Sequence, residues 1–160
     1  MDRIIEKILV PIDSIEWDNT LTAVKNAIGL SQGCKVDGEP ELIFLHVLNA
    51  TSRTSMSERE RVMDLKKKKI KDEFEKIEEI CKENNVGNIR KELREGSPVN
   101  EIIEAAKEEE ASIIVMGSGK LHDESVGSKI HKFFYGSTTE KVIHGAPCSV
   151  LVARPMNSVE

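Results

Sequence analysis

The chain has 160 residues, of which 39% are apolar and 32% are charged, and its net charge is −5. This is the composition of a soluble globular domain rather than of a disordered chain, and the length suits one domain, residues 1–160, with a proper core. The negative charge argues against nucleic acid or an anionic membrane as the main partner. No apolar run approaches the roughly 18 residues of a membrane-spanning helix, and residues 1–7 lack the pattern of a signal peptide. We therefore expect a cytoplasmic protein.

Five short runs of apolar residues, bounded by turn residues, predict strands. The first run is almost continuously apolar, as expected of a central parallel strand that is buried on both faces. The third carries charges between its apolar residues, which is typical of an edge strand. The predicted strands are residues 4–12, 42–48, 88–94, 112–116 and 149–153.

Helical periodicity fills the segments between these strands. Ser14 or Asp18 can cap a first helix that ends at Gly33, and Ser57 with Glu60 forms a capping box for a second helix that runs to about Asn84. In the second helix, the residues expected to face inward are Val62, Leu65, Ile70, Phe74, Ile77 and Ile80.

Two further helices follow the same rules. Ser97 and Pro98 provide the cap and the first turn of the third helix. Ser137 and Glu140 form a second capping box, which predicts a fourth helix over residues 137–144.

This alternation of strands and helices predicts an α/β fold with a five-stranded parallel sheet, doubly wound and Rossmann-like, with helices on both faces. In such sheets, ligands bind beyond the carboxyl ends of the strands, where the strand order reverses. Asp13 and Gly117 both lie at carboxyl ends of predicted strands. If the first and fourth strands are neighbours, these two residues flank one crevice.

The segment after the fourth strand has the outline of a phosphate site. Glycines such as Gly117 and Gly119 let the backbone approach a ligand, and the unpaired N–H groups of a helix that begins near Ser137 attract anions. Two simpler readings stay open at this point. The glycines are also common in turns, and Asp13 is as suitable for a helix cap as for a ligand contact.

The chain resembles the universal stress protein family, specifically its ATP-binding branch. The resemblance covers almost the whole chain and rests on several motifs in the same order as in the family. They are Ile-Leu-Val-Pro-Ile-Asp at 8–13, Leu-His-Val at 45–47, Glu-Gly-Ser-Pro at 95–98, Ile-Ile-Val-Met-Gly-Ser at 113–118, Gly-Ser-Thr-Thr-Glu-Lys-Val-Ile at 136–143 and Ala-Pro-Cys-Ser-Val-Leu-Val at 146–152.

The resemblance implies strand order 3-2-1-4-5 and an ATP between the first and fourth strands. It implies that Asp13 holds the ribose, that the main chain at Val47 holds the adenine, and that a Mg²⁺ or Mn²⁺ ion joins through the phosphates. It also implies a homodimer paired through the last strand, 149–153. The nucleotide-binding residues that it indicates are Pro11, Ile12, Asp13, Val47, Met116, Gly117, Ser118, Gly119, Gly127, Gly136, Ser137 and Thr138.

The chain departs from the family pattern in the phosphate loop. The family has two residues between its first two glycines and nine before its final Gly-Ser or Gly-Thr. Here one residue separates Gly117 from Gly119, and sixteen separate Gly119 from Gly136. Gly127, which eight residues separate from Gly136, is the other candidate for the middle glycine, and either choice implies an insertion around residues 120–126.

Other chemical groups are open to two interpretations. Residues 66–69 are all lysine, but acidic residues follow them on the same helix, so we expect a solvated face. His46 lies in an apolar strand and is expected to be a hydrogen-bonded core residue. In the loop, Lys120, Lys129, His131 and Lys132 are expected to be polar loop residues rather than phosphate ligands, and His122, Asp123, Glu124 and His131 do not form a recognisable metal site.

Three functions therefore compete. The first, which we favour, is an ATP-binding regulatory or stress-response module that is not an enzyme. The second is a slow ATPase or phosphoryl transferase, for which no base or water-positioning residue is visible. The third is a nucleotide-free dimeric scaffold, which the altered glycine spacing keeps open.

Overall fold

The computed structural model describes residues 4–13, 17–34, 38–49, 55–119 and 136–155. Within them, five strands alternate with four helices. The strands are β1 (Lys7–Pro11), β2 (Glu41–Leu48), β3 (Ile89–Glu95), β4 (Ile113–Gly117) and β5 (Ser149–Ala153). The helices are α1 (Trp17–Gly33), α2 (Met56–Glu83), α3 (Pro98–Glu108) and α4 (Ser137–Gly145).

The strands form one parallel sheet in the order β3-β2-β1-β4-β5, which confirms the predicted fold class. The chain first adds strands to one side of β1 and then, after β3, crosses to the other side. The strand order therefore reverses between β1 and β4, which are paired through Ile8 with Ile113 and Leu9 with Ile114. The predicted adjacency of the first and fourth strands is confirmed.

Helices cover both faces of the sheet. On one face α1 and α2 enclose an apolar cluster that includes Ala23, Ile70 and Phe74. On the other face α3 and α4 enclose a second cluster, which includes Ile102 and Val142. The strand residues alternate between the two clusters, because successive side chains of a strand point to opposite faces.

The first strand is shorter than its apolar run predicts. It begins at Lys7, which pairs with the first residue of β2, Glu41. Upstream of Lys7, none of the described residues pairs with another strand, and Ile4 is 94% exposed. The apolar run therefore predicted a strand that begins three residues too early, because strand pairing rather than hydrophobicity decides where a strand begins.

Helix α2 differs most from its prediction. Its N-cap is Ser55, whose hydroxyl donates to Glu58, so the capping box predicted at Ser57 is wrong by two residues. Val62 and Leu65, predicted to face inward, are 42% and 69% exposed. A helix of 28 residues is about 42 Å long, whereas the eight residues of β2 span about 26 Å. The first half of α2 therefore extends past the carboxyl end of the sheet.

The caps predicted for the other helices agree with the structure in α3 but not in α4, and one of the two candidates for α1 does not agree either. In α3, Ser97 is the N-cap and Pro98 the first helical residue, as predicted. In α4 the N-cap is Gly136, and Ser137 is already helical, so the predicted capping box at Ser137 is wrong. In α1, Asp18 lies within the first turn rather than at the cap, and Ser14 lies outside the described residues.

The two edges of the sheet differ in polarity. β3, at one edge, has five charged residues and two apolar ones, and its place at the edge confirms its prediction as an edge strand. β5, at the other edge, is apolar and half-exposed at Val150, Leu151 and Val152. In the described ranges, no helix has the length and apolar character needed to cross a membrane. All three cysteines are free, and burial raises the pKa of Cys81 to about 11.

Candidate functional site

A cleft of about 620 Å³ opens at the carboxyl ends of β2, β1 and β4, where the strand order reverses. Its walls come from both layers of helices: α1 and α2 on one side, and α3 and α4 on the other. The side chains and main chain that line it belong to Pro11, Ile12, Asp13, Asn19, Thr20, Leu45, His46, Val47, Leu48, Asn49, Lys66, Lys69, Ile70, Pro98, Ile102, Met116, Gly117, Gly119, Gly136, Ser137, Thr138 and Thr139.

Asp13 follows β1 at the floor of this cleft, and its backbone is fixed by Thr20 of α1. The Asp13 N–H donates to the Thr20 hydroxyl over 3.0 Å, and that hydroxyl donates to the Asp13 carbonyl over 2.8 Å. The buried Thr20 thus ties the end of β1 to the first turn of α1. The Asp13 residue itself is exposed to the cleft, so its carboxylate lies where a ligand can reach it.

The segment from Gly117 to Gly119 is held by three hydrogen bonds from separate elements. Thr139 of α4 donates its hydroxyl to the Gly117 carbonyl over 3.0 Å, and Gly136 donates its N–H to the Ser118 carbonyl over 2.9 Å. Asn19 of α1 donates its side-chain amide to the Gly119 carbonyl over 3.3 Å. All three carbonyl oxygens are therefore bound to protein donors, which reduces the repulsion that they would exert on an anion.

Two glycines in this segment are required by packing. A Cβ on Gly117 would lie 3.0 Å from the Asn19 Cβ and 3.1 Å from the Asn19 carbonyl oxygen, so the first turn of α1 would have to move away from β4 by a few tenths of an ångström. Gly119 has a φ of +79°, in the left-handed region, and a Cβ there would lie 2.9 Å from the Gly136 Cα. Gly119 therefore brings the end of β4 against the start of α4.

The first turn of α4 opens into the cleft at Ser137, Thr138 and Thr139. The first intrahelical bond runs from Glu140 N–H to the Gly136 carbonyl, so the three preceding amides have no partner within the helix. Such amides and the helix dipole favour an anion. Because the φ of Gly136 is −58°, its conformation does not itself require glycine.

His46 is a hydrogen-bonded core residue, as predicted, and its ring also lines the cleft. The side chain is buried, and Nδ1 lies 3.1 Å from the Ile12 carbonyl oxygen. Burial lowers the pKa of His46, so the ring is neutral at physiological pH. In the neutral tautomer that fits this contact, Nδ1 carries the hydrogen and donates to the Ile12 carbonyl oxygen. This hydrogen bond ties the end of β2 to the end of β1 next to Asp13.

Glu73 of α2 is a buried acid that the sequence did not single out. The residue is 5% exposed, and among the described residues its Oε2 has no hydrogen-bond partner. Burial raises the pKa of Glu73, although Lys69 and Lys76 act in the opposite direction. Its ionised form therefore opposes folding.

Replacing Glu73 with glutamine is expected to stabilise the fold at neutral pH. Because the pKa of Glu73 is higher in the folded state, stability falls as pH rises from the unfolded value through the folded one. The variant lacks this loss, so its free energy of unfolding should exceed that of the wild type by about 1 kcal/mol at pH 7.5. The difference should disappear at about pH 3, below the ordinary pKa of glutamate, where both states of the wild type are protonated.

Urea denaturation at the two pH values measures this difference. Glu75, exposed on the same helix, provides the matched control, and Glu75→Gln should change stability by less than about 0.5 kcal/mol. A Glu73→Gln variant that is less stable than the wild type at pH 7.5 would show that the carboxylate is stabilised by its surroundings.

Most of the residues predicted for the site are brought together in the cleft. They are Pro11, Ile12, Asp13, Val47, Met116, Gly117, Gly119, Gly136, Ser137 and Thr138. Ser118 is an exception, because it is buried behind the cleft and only its carbonyl takes part, by accepting from Gly136. The other loop candidates lie outside the described residues: Lys120, His122, Asp123, Glu124, Gly127, Lys129, His131 and Lys132.

The sequence missed several residues of the cleft. Asn19, Thr20 and Thr139 hold the backbone of the site, and all three lie in the first turns of helices that follow β1 and β4. All four lysines at 66–69 are exposed, as predicted for a solvated face, but Lys66 and Lys69 also line the cleft, which the sequence did not indicate. Lys67 and Lys68 do not line it.

The fold and the position of the cleft define a doubly wound, Rossmann-like protein with a ligand crevice at the reversal of strand order. The profile described as "Universal stress protein family" matches residues 5–154. The chain belongs to the universal stress protein family.

Individual relatives agree with this assignment. A universal stress protein of Methanocaldococcus jannaschii is 29% identical over 157 residues, which cover 96% of this chain and 84% of that protein. One from Methanothermobacter thermautotrophicus is 42% identical over 72 residues, which span only 45% of this chain and 44% of that protein. The structure of UspA from Lactobacillus plantarum has a TM-score of 0.76 and 25% identity, and the match covers 93% of this chain and 97% of that one.

Two structures with the same fold were solved with nucleotides. One is a universal stress protein from Archaeoglobus fulgidus in complex with dAMP, with a TM-score of 0.64, 19% identity and coverage of 94% of this chain and 98% of that one. The other is a universal stress protein in complex with cAMP, with a TM-score of 0.66, 19% identity and coverage of 94% and 97%. At this identity the likeness shows the fold alone.

Proposed function

We propose that this protein binds ATP and acts as a nucleotide-dependent regulatory module in a stress response, without being an enzyme. One observation carries the proposal. A single cleft brings together the exposed Asp13, the close-packed glycines Gly117 and Gly119, and the open first turn of α4 at Ser137. Proteins of the same fold in complex with dAMP and cAMP support a nucleotide as the ligand.

In the proposed complex, the phosphates lie against the first turn of α4, where N–H groups of Ser137 and Thr138 face the cleft. Asp13 accepts hydrogen bonds from ribose hydroxyls. The main chain at Val47, beside the buried His46, receives the adenine. This arrangement places the anionic part of the ligand at the helix terminus and the base at the apolar end of the cleft, where Leu45 and Ile102 lie.

A Mg²⁺ or Mn²⁺ ion would be held mainly by the phosphates. Within the part of the chain that the structure describes, no group of three metal-ligating side chains occurs. Asp13 is the carboxylate that lines the cleft, so it is the one described side chain there that could complete the coordination of an ion bound to phosphate oxygens. The ion would neutralise phosphate charge in a protein whose net charge is −5.

Nucleotide retained by the purified protein tests the proposal. We expect gently purified, denatured protein to release ATP, and the ATP to ADP ratio of the native sample to change slowly, at about one turnover per minute or less. The physical reason is that the described cleft presents amides and a carboxylate, while its histidine is buried and bonded to Ile12. Several turnovers per second would instead indicate an enzyme. If the protein neither retains nor binds ATP, the nucleotide-free scaffold becomes the better hypothesis.

We also propose that β5 pairs with its counterpart in a homodimer. β5 lies at the edge of the sheet, and Val150, Leu151 and Val152 are only half-buried in the single chain. An apolar edge strand is a ready partner for another strand, and pairing two copies around a two-fold axis would cover both edges. The opposite edge, β3, is protected by its charged residues.

A further inference from the structure

Helix α2 overhangs the cleft because it is longer than the strand that it follows. The second half of α2 packs against the sheet through Ile70, Phe74 and Ile77. Ile70 is the first buried residue of the helix. The turns before Ile70 lie beyond the carboxyl ends of the strands, which is where the cleft opens. Lys66 and Lys69 lie in these turns and line the cleft, one helical turn before Ile70 and Glu73 respectively.

The two lysines are available to a ligand. Both are exposed, and no ion pair involving either is found within the described ranges. Lys66 acts electrostatically on the ring of His46, which also lines the cleft, and Lys69 acts on the carboxyl of Glu73, one turn further along the same helix. Among the described residues that line the cleft, Asp13 is the one carboxylate and Lys66 and Lys69 are the two ammonium groups, so the side-chain charges of these residues sum to a net positive value.

This positive wall does not coincide with the first turn of α4. Helix α2 packs on the sheet face that carries α1, whereas α4 packs on the opposite face. The helices also follow different strands: α2 follows β2, and α4 follows β4. Since β1 lies between these strands, they are two strand spacings apart, or about 10 Å. The cleft thus has two anion-attracting walls that face each other across the ends of the strands.

We propose that Lys66 and Lys69 form a second phosphate-binding element of the cleft, opposite the first turn of α4. This inference rests on the proposed function, because it concerns a ligand of the same cleft. The two ammonium groups bind a phosphate of the nucleotide that the α4 turn does not hold, and they offset the repulsion by Asp13. That phosphate belongs either to the 5′ chain or to a ribose 2′ or 3′ oxygen.

Paired double variants test the role of the lysines. Lys66→Gln with Lys69→Gln removes both charges and keeps similar helix propensity. Lys67→Gln with Lys68→Gln makes the same change in charge on the same helix, at exposed positions outside the cleft. Affinities for ADP, adenosine 3′,5′-bisphosphate and adenosine would be measured by calorimetry at low ionic strength, with competition for weak ligands.

We expect the double substitution of Lys66 and Lys69 to lower the affinity for at least one of the two phosphorylated ligands about tenfold, or by about 1.4 kcal/mol. Adenosine affinity should change less than about twofold, because a neutral ligand gains nothing from the charges, and the Lys67 and Lys68 control should leave all three affinities within the same range. A larger loss for ADP assigns the element to the 5′ chain, and a larger loss for the bisphosphate assigns it to the ribose phosphate.

Three results would overturn the inference. One is a loss of affinity for adenosine as large as the loss for the phosphorylated ligands, which would mean that the lysines shape the cleft rather than bind phosphate. Another is an equal loss in the control variant, which would indicate the general charge of the helix. The third is wild-type affinity for every ligand in the cleft-facing variant. If the wild type binds no adenine nucleotide, the proposed function fails together with this inference. Each of the three results above overturns only the inference and leaves the proposed function standing.

Discussion

Replacing Gly119 with alanine is expected to remove most of the thermal stabilisation that ATP gives the wild type. The new Cβ would lie 2.9 Å from the Gly136 Cα, and the φ of +79° would strain any other residue. Relief requires that Gly136 move, and the first turn of α4 moves with it. The amides of Ser137 and Thr138 would then no longer converge on the phosphates.

The size of the effect follows from mass action. For a dissociation constant of about 10 μM, ATP at about 1 mM adds roughly 2.7 kcal/mol to the stability of the wild type. For a chain of this size that raises the melting temperature by roughly 5–10 °C. In Gly119→Ala the rise should fall to about 2 °C or less, while the variant without ATP melts a few degrees lower because of backbone strain.

Gly29 provides the control for this substitution. It lies on the exposed side of α1, and a Cβ there would meet nothing within 4 Å. Gly29→Ala should therefore raise the melting temperature slightly, as expected for alanine in a helix, and should keep the full response to ATP. Circular dichroism would verify that both variants are folded. A Gly119→Ala variant with the wild-type response to ATP would show that the phosphates do not depend on the first turn of α4.

The sheet could be predicted from the sequence because its rules are local. Continuous apolar runs marked the central strands, the charged run marked β3 as an edge, and alternation with helices implied parallel pairing. The limits of the elements were less predictable. Ile4 belongs to an apolar run but has no partner strand, and Gly136 rather than Ser137 caps α4 because the turn is fixed by its hydrogen bond to Ser118.

The lysines of α2 show why part of the site was missed. Lys66 and Lys69 precede Ile70 and Glu73 by four residues each, so they continue the helical stripe that is buried further along. Charged residues on a core-facing stripe were a signal that these turns leave the core. Composition alone could not reveal that they enter a cleft, because this depends on the length of α2 relative to β2. The same mismatch explains the exposure of Val62 and Leu65.

Replacing Val152 with lysine is expected to convert the proposed homodimer into monomers. Val152 is half-buried on β5 and belongs to neither apolar cluster of the described core, whereas Val150 and Leu151 pack against the two clusters. The substitution should therefore spare the fold of the single chain. In a two-fold dimer it would place two ammonium groups in one apolar interface, which loses apolar burial and adds like-charge repulsion.

Sedimentation equilibrium at tens of micromolar measures the outcome directly, since the chain has a mass of 17.9 kDa and the dimer twice that mass. We expect dimers for the wild type and monomers for Val152→Lys. Leu93→Lys is the matched control, because Leu93 is 42% exposed on β3, at the opposite edge of the sheet, and this variant should stay dimeric. Dissociation by Leu93→Lys alone would move the interface to β3. A monomeric wild type would refute the dimer, because the apolar edge of β5 would then be covered in some other way.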